Sequence, residues 1–285
     1  NVRATRMAGL DRADRVSRCG PEEVRRVLEI KTGCRLHFGL VELCAEAEYC
    51  YAGLGLALQS PGYTIRVDLS GEASDSSPAD EYDQRVKDAR QVSSLRHPVE
   101  IVEVLPLHCG LGAGTQRGVA IAAASLLASS EQADRERTTG WQQMPIDEAR
   151  WSEDSLARLS GRGKRSAIGL HAFRHGGFIV DQGHGDSDAR HFSCDHYSLP
   201  RAWRIILATP QKQTGTSGQQ ETALMEQVAG RANPHAPAML KLIDSISSIA
   251  SNPASCFDQF TGQLAEYMRL ASSLFLEAQG GMYNG

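Results

Sequence analysis

Long apolar runs are missing from this 285-residue chain: no stretch of about 18 apolar residues and no signal peptide can be read in it. That excludes an ordinary membrane-spanning helix and leads us to expect a cytoplasmic protein with no membrane partner. A basic excess is missing too. Lys and Arg number 30 against 34 Asp and Glu, the net charge is -4 and aromatics make up only 6%, which argues against a nucleic-acid partner and requires any anion site to be local. The seven cysteines, at 19, 34, 44, 50, 109, 194 and 256, include no CxxC pair and no metal-finger spacing. Reduced thiols in a reducing compartment are the simple account. Neither an internal repeat nor a low-complexity tract is present. The first residue is Asn1 rather than Met, so further residues are expected to precede it.

What is present is enough for an enzyme-sized body. Hydrophobic residues make up 41% and charged residues 22%, ordinary values for a globular protein with a substantial core. The length suggests two domains, which we place at 1–190 and 191–285. Pro21 can open a short helix running through Leu28. The alternation in 34–40 predicts a strand, and 54–58 and 63–69 predict two more, with Ser60-Pro61-Gly62 as the turn of a hairpin. An amphipathic helix is expected over 81–95, a strand over 99–105, and a largely buried helix over 113–130, where Ala, Ile and Leu dominate. A helix follows Pro145 and ends near Leu159. The stretch 167–180, split by His175-Gly176-Gly177, has the pattern of a hairpin, 181–198 that of a polar loop, and 203–209 that of a strand. Helices at roughly 219–230, 236–250 and 256–278 make the second half α+β.

Chemistry is concentrated in a few segments. Between a strand and the buried helix lies PLHCGLGAGT (106–115), whose three glycines permit positive φ and close backbone approach beside a helix N-terminus. Gly110, Leu111, Gly112, Ala113, Gly114 and Thr115 are therefore candidate phosphate ligands. The spacing is neither that of a P-loop nor that of a dinucleotide-binding fold. An ordinary Gly-rich connection with Thr115 as an N-cap is the alternative. A second segment, 155–180, has no Asp or Glu but carries Arg158, Arg162, Lys164, Arg165 and Arg174. Its core, GRGKRS (161–166), is suited to phosphate or pyrophosphate. A solvated charge cluster would look the same. Arg35 and His37 alternate on one strand face just before Gly39, a face that either lines a cleft or meets solvent. Thr214 to Gly218 reads as a helix cap. The polar loop with His184, Asp186, Asp188, His191, Asp195 and His196 lacks metal-ligand spacing, and His171 and His175, four apart, fall in a stretch read as strand, which removes the reason to pair them.

Taken together, three segments in order carry a resemblance. LPLHCGLGAGTQ at 105–116 resembles the second motif of the GHMP kinases, and RLHFGL at 35–40 and GRGKRSAIGLHAFRHGGFIVD at 161–181 look like segments of the β-ribofuranosylaminobenzene 5'-phosphate synthases. The resemblance implies an α+β GHMP-kinase fold: a domain similar to the second domain of ribosomal protein S5, then a ferredoxin-like domain. It also implies a reaction in methanopterin biosynthesis. Phosphoribosyl pyrophosphate and 4-aminobenzoate, or a related 4-hydroxybenzoate, would give a C-riboside 5'-phosphate, carbon dioxide and pyrophosphate, assisted by Mg2+ and with no organic cofactor. On this reading the 110–115 loop, Arg162 and Ser166 hold phosphates, while Arg35, His37, Lys164 and Arg165 act in catalysis; the Mg2+ ligands are unassigned. The partners would be these small molecules, with a homodimer the commonest state for such enzymes. Two departures bear on this. No carboxylate stands in 161–175 where base-using GHMP kinases carry an aspartate, which disfavours an ATP-dependent small-molecule kinase, the main alternative. The synthases continue into a third Gly-rich motif, whereas this chain stops at Gly285 without it. A non-catalytic phosphate-ligand-binding protein on the same fold is the third reading.

Overall fold

The computed structural model describes residues 3–7, 27–42, 51–72, 81–107, 109–135, 152–183, 194–208, 233–253 and 256–273, with 223 and 276. Its strands are β1 (Arg3–Met7), β2 (Val27–Lys31), β3 (Cys34–Glu42), β4 (Tyr51–Leu58), β5 (Thr64–Asp68), β6 (Val99–Glu103), β7 (Phe178–Asp181) and β8 (Cys194–Tyr197). The helices are α1 (Glu81–Val92), α2 (Ala113–Arg135), α3 (Glu153–Ser160), α4 (Ile168–Arg174), α5 (Ala236–Ser251) and α6 (Phe257–Ser273). Two antiparallel four-stranded sheets result, ordered β1-β2-β5-β6 and β3-β4-β7-β8.

The hairpin expected at 60–62 is not one. Strands β4 and β5 belong to different sheets, so the chain turns a corner there instead of reversing. The β2-to-β3 connection makes the same crossing alongside it: Lys31 pairs with Thr64 in one sheet and Cys34 with Leu58 in the other. Glycine makes the paired corner feasible. A Cβ on Gly33 would collide with the Leu58 carbonyl, and one on Gly62 with the Thr32 carbonyl. Thr32 closes the corner, donating its N–H to the Tyr63 carbonyl (2.9 Å) and accepting from Tyr63 N–H at its hydroxyl (3.2 Å). The turn signal in Pro61-Gly62 was real, but a local signal cannot tell a reversal from a corner.

Strand β4 shows how alternation serves two layers. Leu54 and Leu56 point into a core made with Met239, Ile243, Ile246, Tyr267 and Leu270 of α5 and α6, whereas Gly53 and Gly55 lie under Ile168 of α4. Glycine at both positions lets α4 settle directly on the sheet. Helix α2 is buried as expected, with Val119 to Ala124 fully enclosed between the other sheet and α1, α3 and α4. Each large apolar side chain so enclosed contributes about 1.5–3 kcal/mol.

Other expectations are corrected. Residues 167–180 form α4 followed by β7, not a hairpin, and helix α4 stops where Gly176 takes φ +74°. Part of the expected loop 181–198 is strand β8. Residues 203–208 form no strand: Trp203 packs its ring 5.1 Å from those of Phe257 and Phe260, and Ile206 is 90% exposed. Strand propensity that finds no pairing among the described residues does not make a strand. Val27 and Leu28, expected to end a helix, lie in β2; of the expected helix at 219–230 only Ala223, which is helical, is among the described residues, and the start of the one after Pro145 falls outside them.

A bulge in β3 connects the fold to the candidate site. The register against β4 shifts between His37 and Gly39, where Gly39 has φ +132°. Helix α6 is seated on this kink: a Cβ on Gly39 would collide with the Ala271 Cβ, and the Tyr267 hydroxyl donates to the Gly39 carbonyl at 3.0 Å. Gly39→Ala is therefore expected to lower stability by about 2–3 kcal/mol, combining backbone strain with overpacking. Urea unfolding measures this, and a loss below about 0.5 kcal/mol would contradict the account of the bulge.

Candidate active site at the glycine loop

Two residues set the loop between β6 and α2. Gly110 and Gly112 both have φ +72°, a conformation that side chains resist. Helix α2 then begins, and its first turn closes with Gln116 N–H donating to the Gly112 carbonyl at 3.0 Å. The amides of 113–115 precede that bond, and the first turn holds no acid. This is a helix end with donors and positive dipole directed outward.

Arg35 and Arg162 converge there from different elements. The Arg35 N–H donates to the Leu111 carbonyl at 3.1 Å, tying β3 to the loop. Its side chain lies across Gly112 and Gly169: added Cβ atoms would stand 2.7 Å from Arg35 Cγ and 3.3 Å from Nε respectively. Arg162 reaches back along α2, its Nη2 3.6 Å from a Cβ position at Gly114 and its Nε 3.6 Å from one at Gly118. A guanidinium thus lies on each side of the first turn. Thr115 packs its methyl against Gly169, 2.6 Å from a Cβ position there, and Gln116 Nε2 donates to the Gly169 carbonyl at 3.0 Å. Lys164 is exposed and Arg165 half-buried in the 161–167 connection that leads into α4. No described contact carries either to the glycine loop.

His37 stands on the same face of β3 as Arg35 and is held by a relay. Its Nδ1 accepts from Gly39 N–H at 3.2 Å, so the neutral ring carries its hydrogen on Nε2, which faces Ser166 Oγ at 3.3 Å. The Ser166 hydroxyl donates to Asp181 Oδ2 at 3.1 Å and accepts from Ile168 N–H at 3.2 Å. Ser166 therefore spends its hydrogen on Asp181. Burial, and secondarily the charge of Arg35, push the His37 imidazolium down to about 3. The folded protein thus binds fewer protons than the unfolded chain between about pH 3 and 6.5. The stability this group contributes is complete above about 6.5 and falls away as pH drops toward 3. Thermal melts from pH 7.5 to 4 are expected to show a shallower decline for His37→Gln than for the parent, and parallel curves would contradict the assignment.

Asp181 was not foreseen. The segment 161–175 has no carboxylate, yet strand β7 delivers a fully buried one beside Ser166. Its oxygens accept from Ala167 N–H at 2.8 Å, from Ser166 and from Gly183 N–H at 3.1 Å. So engaged, it positions the start of α4 and the relay and is not a free base. The sequence signal was an acid closing an otherwise apolar strand, Phe-Ile-Val-Asp.

The α2 first turn supplies no acid to the loop, so a carboxylate that held Mg2+ beside bound phosphates would come from outside that turn. Among the described residues the one grouping of three or more His, Cys, Asp or Glu side chains close enough to share an ion is His171, His175 and His196.

The histidine grouping reverses another expectation. Because 168–174 is helical, the spacing of His171 and His175 is meaningful, and β8 adds His196. His171 Nδ1 lies 2.8 Å from His196 Nε2. Burial first, then the neighbouring imidazoles and Arg174, hold His171 down to about 4 against the opposing charge of Glu153.

No family model matches the chain. Over 248 residues it is 25% identical to the beta-ribofuranosylphenol 5'-phosphate synthase of Methanothermobacter thermautotrophicus, a match covering 78% of this chain and 68% of that protein. The proteins of the same name from Methanocaldococcus jannaschii and Archaeoglobus fulgidus are 28% and 26% identical, over 54% and 70% of this chain and 47% and 62% of theirs. Among solved structures, Streptococcus pneumoniae phosphomevalonate kinase matches with a TM-score of 0.51 at 14% identity, covering 90% of this chain and 81% of that one. The two antiparallel sheets of the present chain, with a glycine loop opening a buried helix, form the GHMP-kinase fold that it shares with that kinase. In sequence the chain is similar to the beta-ribofuranosylphenol 5'-phosphate synthases of these three organisms, and in fold to the phosphomevalonate kinase.

Proposed function

We propose that the protein transfers a phosphoribosyl group from phosphoribosyl pyrophosphate to a para-substituted benzoate, releasing carbon dioxide and pyrophosphate. The observation that carries this is the convergence of Arg35 and Arg162 on an acid-free helix N-terminus behind a positive-φ glycine loop. The relatives' name supplies the acceptor class. A ribofuranosylphenol product corresponds to 4-hydroxybenzoate, and 4-aminobenzoate serves the same chemistry because either para donor enriches the ring carbon bearing the carboxylate.

The steps balance without a base. The anomeric C–O bond breaks and pyrophosphate leaves with the electron pair. The ring carbon bearing the carboxylate then bonds to the anomeric carbon. Loss of carbon dioxide returns the C–C electron pair to the ring and restores aromaticity. The chain's task is electrostatic: amides of 113–115 and the two guanidinium groups hold phosphate oxygens and stabilise the charge that grows on the leaving group. Lys164 and Arg165 add positive charge at the rim. Neutral His37, fixed by the Gly39 bulge and the Ser166–Asp181 relay, presents a rigid wall beside Arg35. With Asp181 engaged, no carboxylate among the described residues of 161–181 is left to deprotonate an alcohol, which weighs against phosphoryl transfer. On the family's pattern the product would feed methanopterin biosynthesis.

The test is to incubate the full chain with phosphoribosyl pyrophosphate and carboxyl-labelled 4-hydroxybenzoate or 4-aminobenzoate, with Mg2+ supplied. Donor-dependent release of labelled carbon dioxide is expected. ATP consumption with small alcohols and no carbon dioxide would replace the reading with a kinase, and silence in both would leave a binding protein.

A further inference from the structure

We propose that His171, His175 and His196 form a zinc site on the side of α4 turned away from the glycine loop. Position 171 lies about 200° around the helix from Gly169, the residue beneath Arg35. Each ring offers a nitrogen, and these nitrogens lie within 4.8 Å of one another. The ring centroids are 4.6–5.5 Å apart. Two ligands at i and i+4 on a helix with a third from an adjacent strand is a donor set suited to Zn2+.

Three further observations point to an ion. His171 is only 4% exposed, so the nitrogen it turns toward the other rings is shielded from water. Its Nδ1 faces another imidazole nitrogen at 2.8 Å, an arrangement in which one hydrogen must serve two rings. Glu153 holds the third ring, accepting from His175 Nε2 at 2.6 Å while Arg174 neutralises its other oxygen, the carboxylate-to-histidine support that orients metal ligands. Two nitrogens on a tetrahedral Zn2+ stand about 3.3 Å apart, given bonds of ~2.0–2.1 Å. The ion would thus replace the shared hydrogen and part the rings by about half an ångström. His196, exposed on β8, and His175, whose side chain is 38% exposed, leave the fourth position to solvent. Bound there, the ion clamps α4 to β8 and, through Glu153, to α3, the two helices that bracket the 161–167 connection.

The experiment uses tag-free full-length protein, stripped with chelator, loaded with Zn2+ and dialysed, with Co2+ as a spectroscopic substitute. We expect one equivalent of Zn2+ to be retained and Co2+ to give the visible bands of a four-coordinate histidine site. His175→Ala and His196→Ala should each weaken Zn2+ binding at least about tenfold, and Glu153→Gln about tenfold through its orienting role. Circular dichroism of His196→Gln, a change at an exposed position, checks that loss of metal is not loss of fold. Failure to retain Zn2+, or retention unchanged in the His175→Ala, His196→Ala double variant, would overturn the proposal.

Discussion

Arg35→Ala is expected to lower kcat/KM for phosphoribosyl pyrophosphate by about 10²–10³-fold, with most of the loss in kcat. The expectation follows from where Arg35 lies. Its Cγ and Nε are pressed against Gly112 and Gly169, so the guanidinium is held at the first turn of α2 instead of sampling solvent. A preorganised charge aimed at a leaving group is worth about 3–4 kcal/mol in the transition state. On the proposed function the ground-state phosphate would also meet Arg162 and the helix amides, so substrate binding should suffer less than turnover. Arg35→Lys should recover only part of the loss, because an ammonium cannot reproduce the two-pronged contact. Steady-state kinetics of the three proteins measure this. A loss confined to KM would mean that Arg35 only attracts substrate, and no loss would remove it from the site.

Gly112→Ala should be nearly as damaging, and Gly110→Ala marks the reason. Both glycines have φ +72°, so alanine imposes a similar backbone strain of about 1–3 kcal/mol at either position. They differ in what the new methyl meets. At Gly110 nothing lies within 4 Å, whereas at Gly112 the Arg35 Cγ, Nε and Cζ stand at 2.7, 3.1 and 3.3 Å. The two variants should therefore melt at similarly reduced temperatures, while Gly112→Ala alone loses phosphoribosyl transfer by about a hundredfold as Arg35 is displaced. Equal activities in the two variants would show that the methyl does not reach Arg35.

Much of this was legible in the sequence because it was local. The glycines at 110 and 112 announced their positive φ, the alanine-rich helix its burial, and the alternation at 35 and 37 a shared strand face. What was illegible depended on partners. Nothing in Ser60-Pro61-Gly62 distinguishes a reversal from a corner, because the difference lies in the Thr32 and Leu58 carbonyls across the crossing. The 168–174 helix was missed because it is short and holds a glycine, which propensity counts against it; its stability comes from packing on Gly53 and Gly55. That one misreading concealed the pairing of His171 with His175. Asp181 closes the 161–181 segment, but its place beside Ser166, fifteen residues back, is set by strand pairing and not by local spacing.

On the proposed function the glycine loop, Arg35 and Arg162 form a single anion site. Isothermal titration of phosphoribosyl pyrophosphate into the full-length protein, with Arg35→Ala, Arg162→Ala and the double variant alongside, tests it most directly. Saturable binding by the parent is expected, about tenfold or more weaker in each single variant, with losses in the double variant that fall short of additive because both groups hold one ligand. Undiminished binding in the double variant would contradict it.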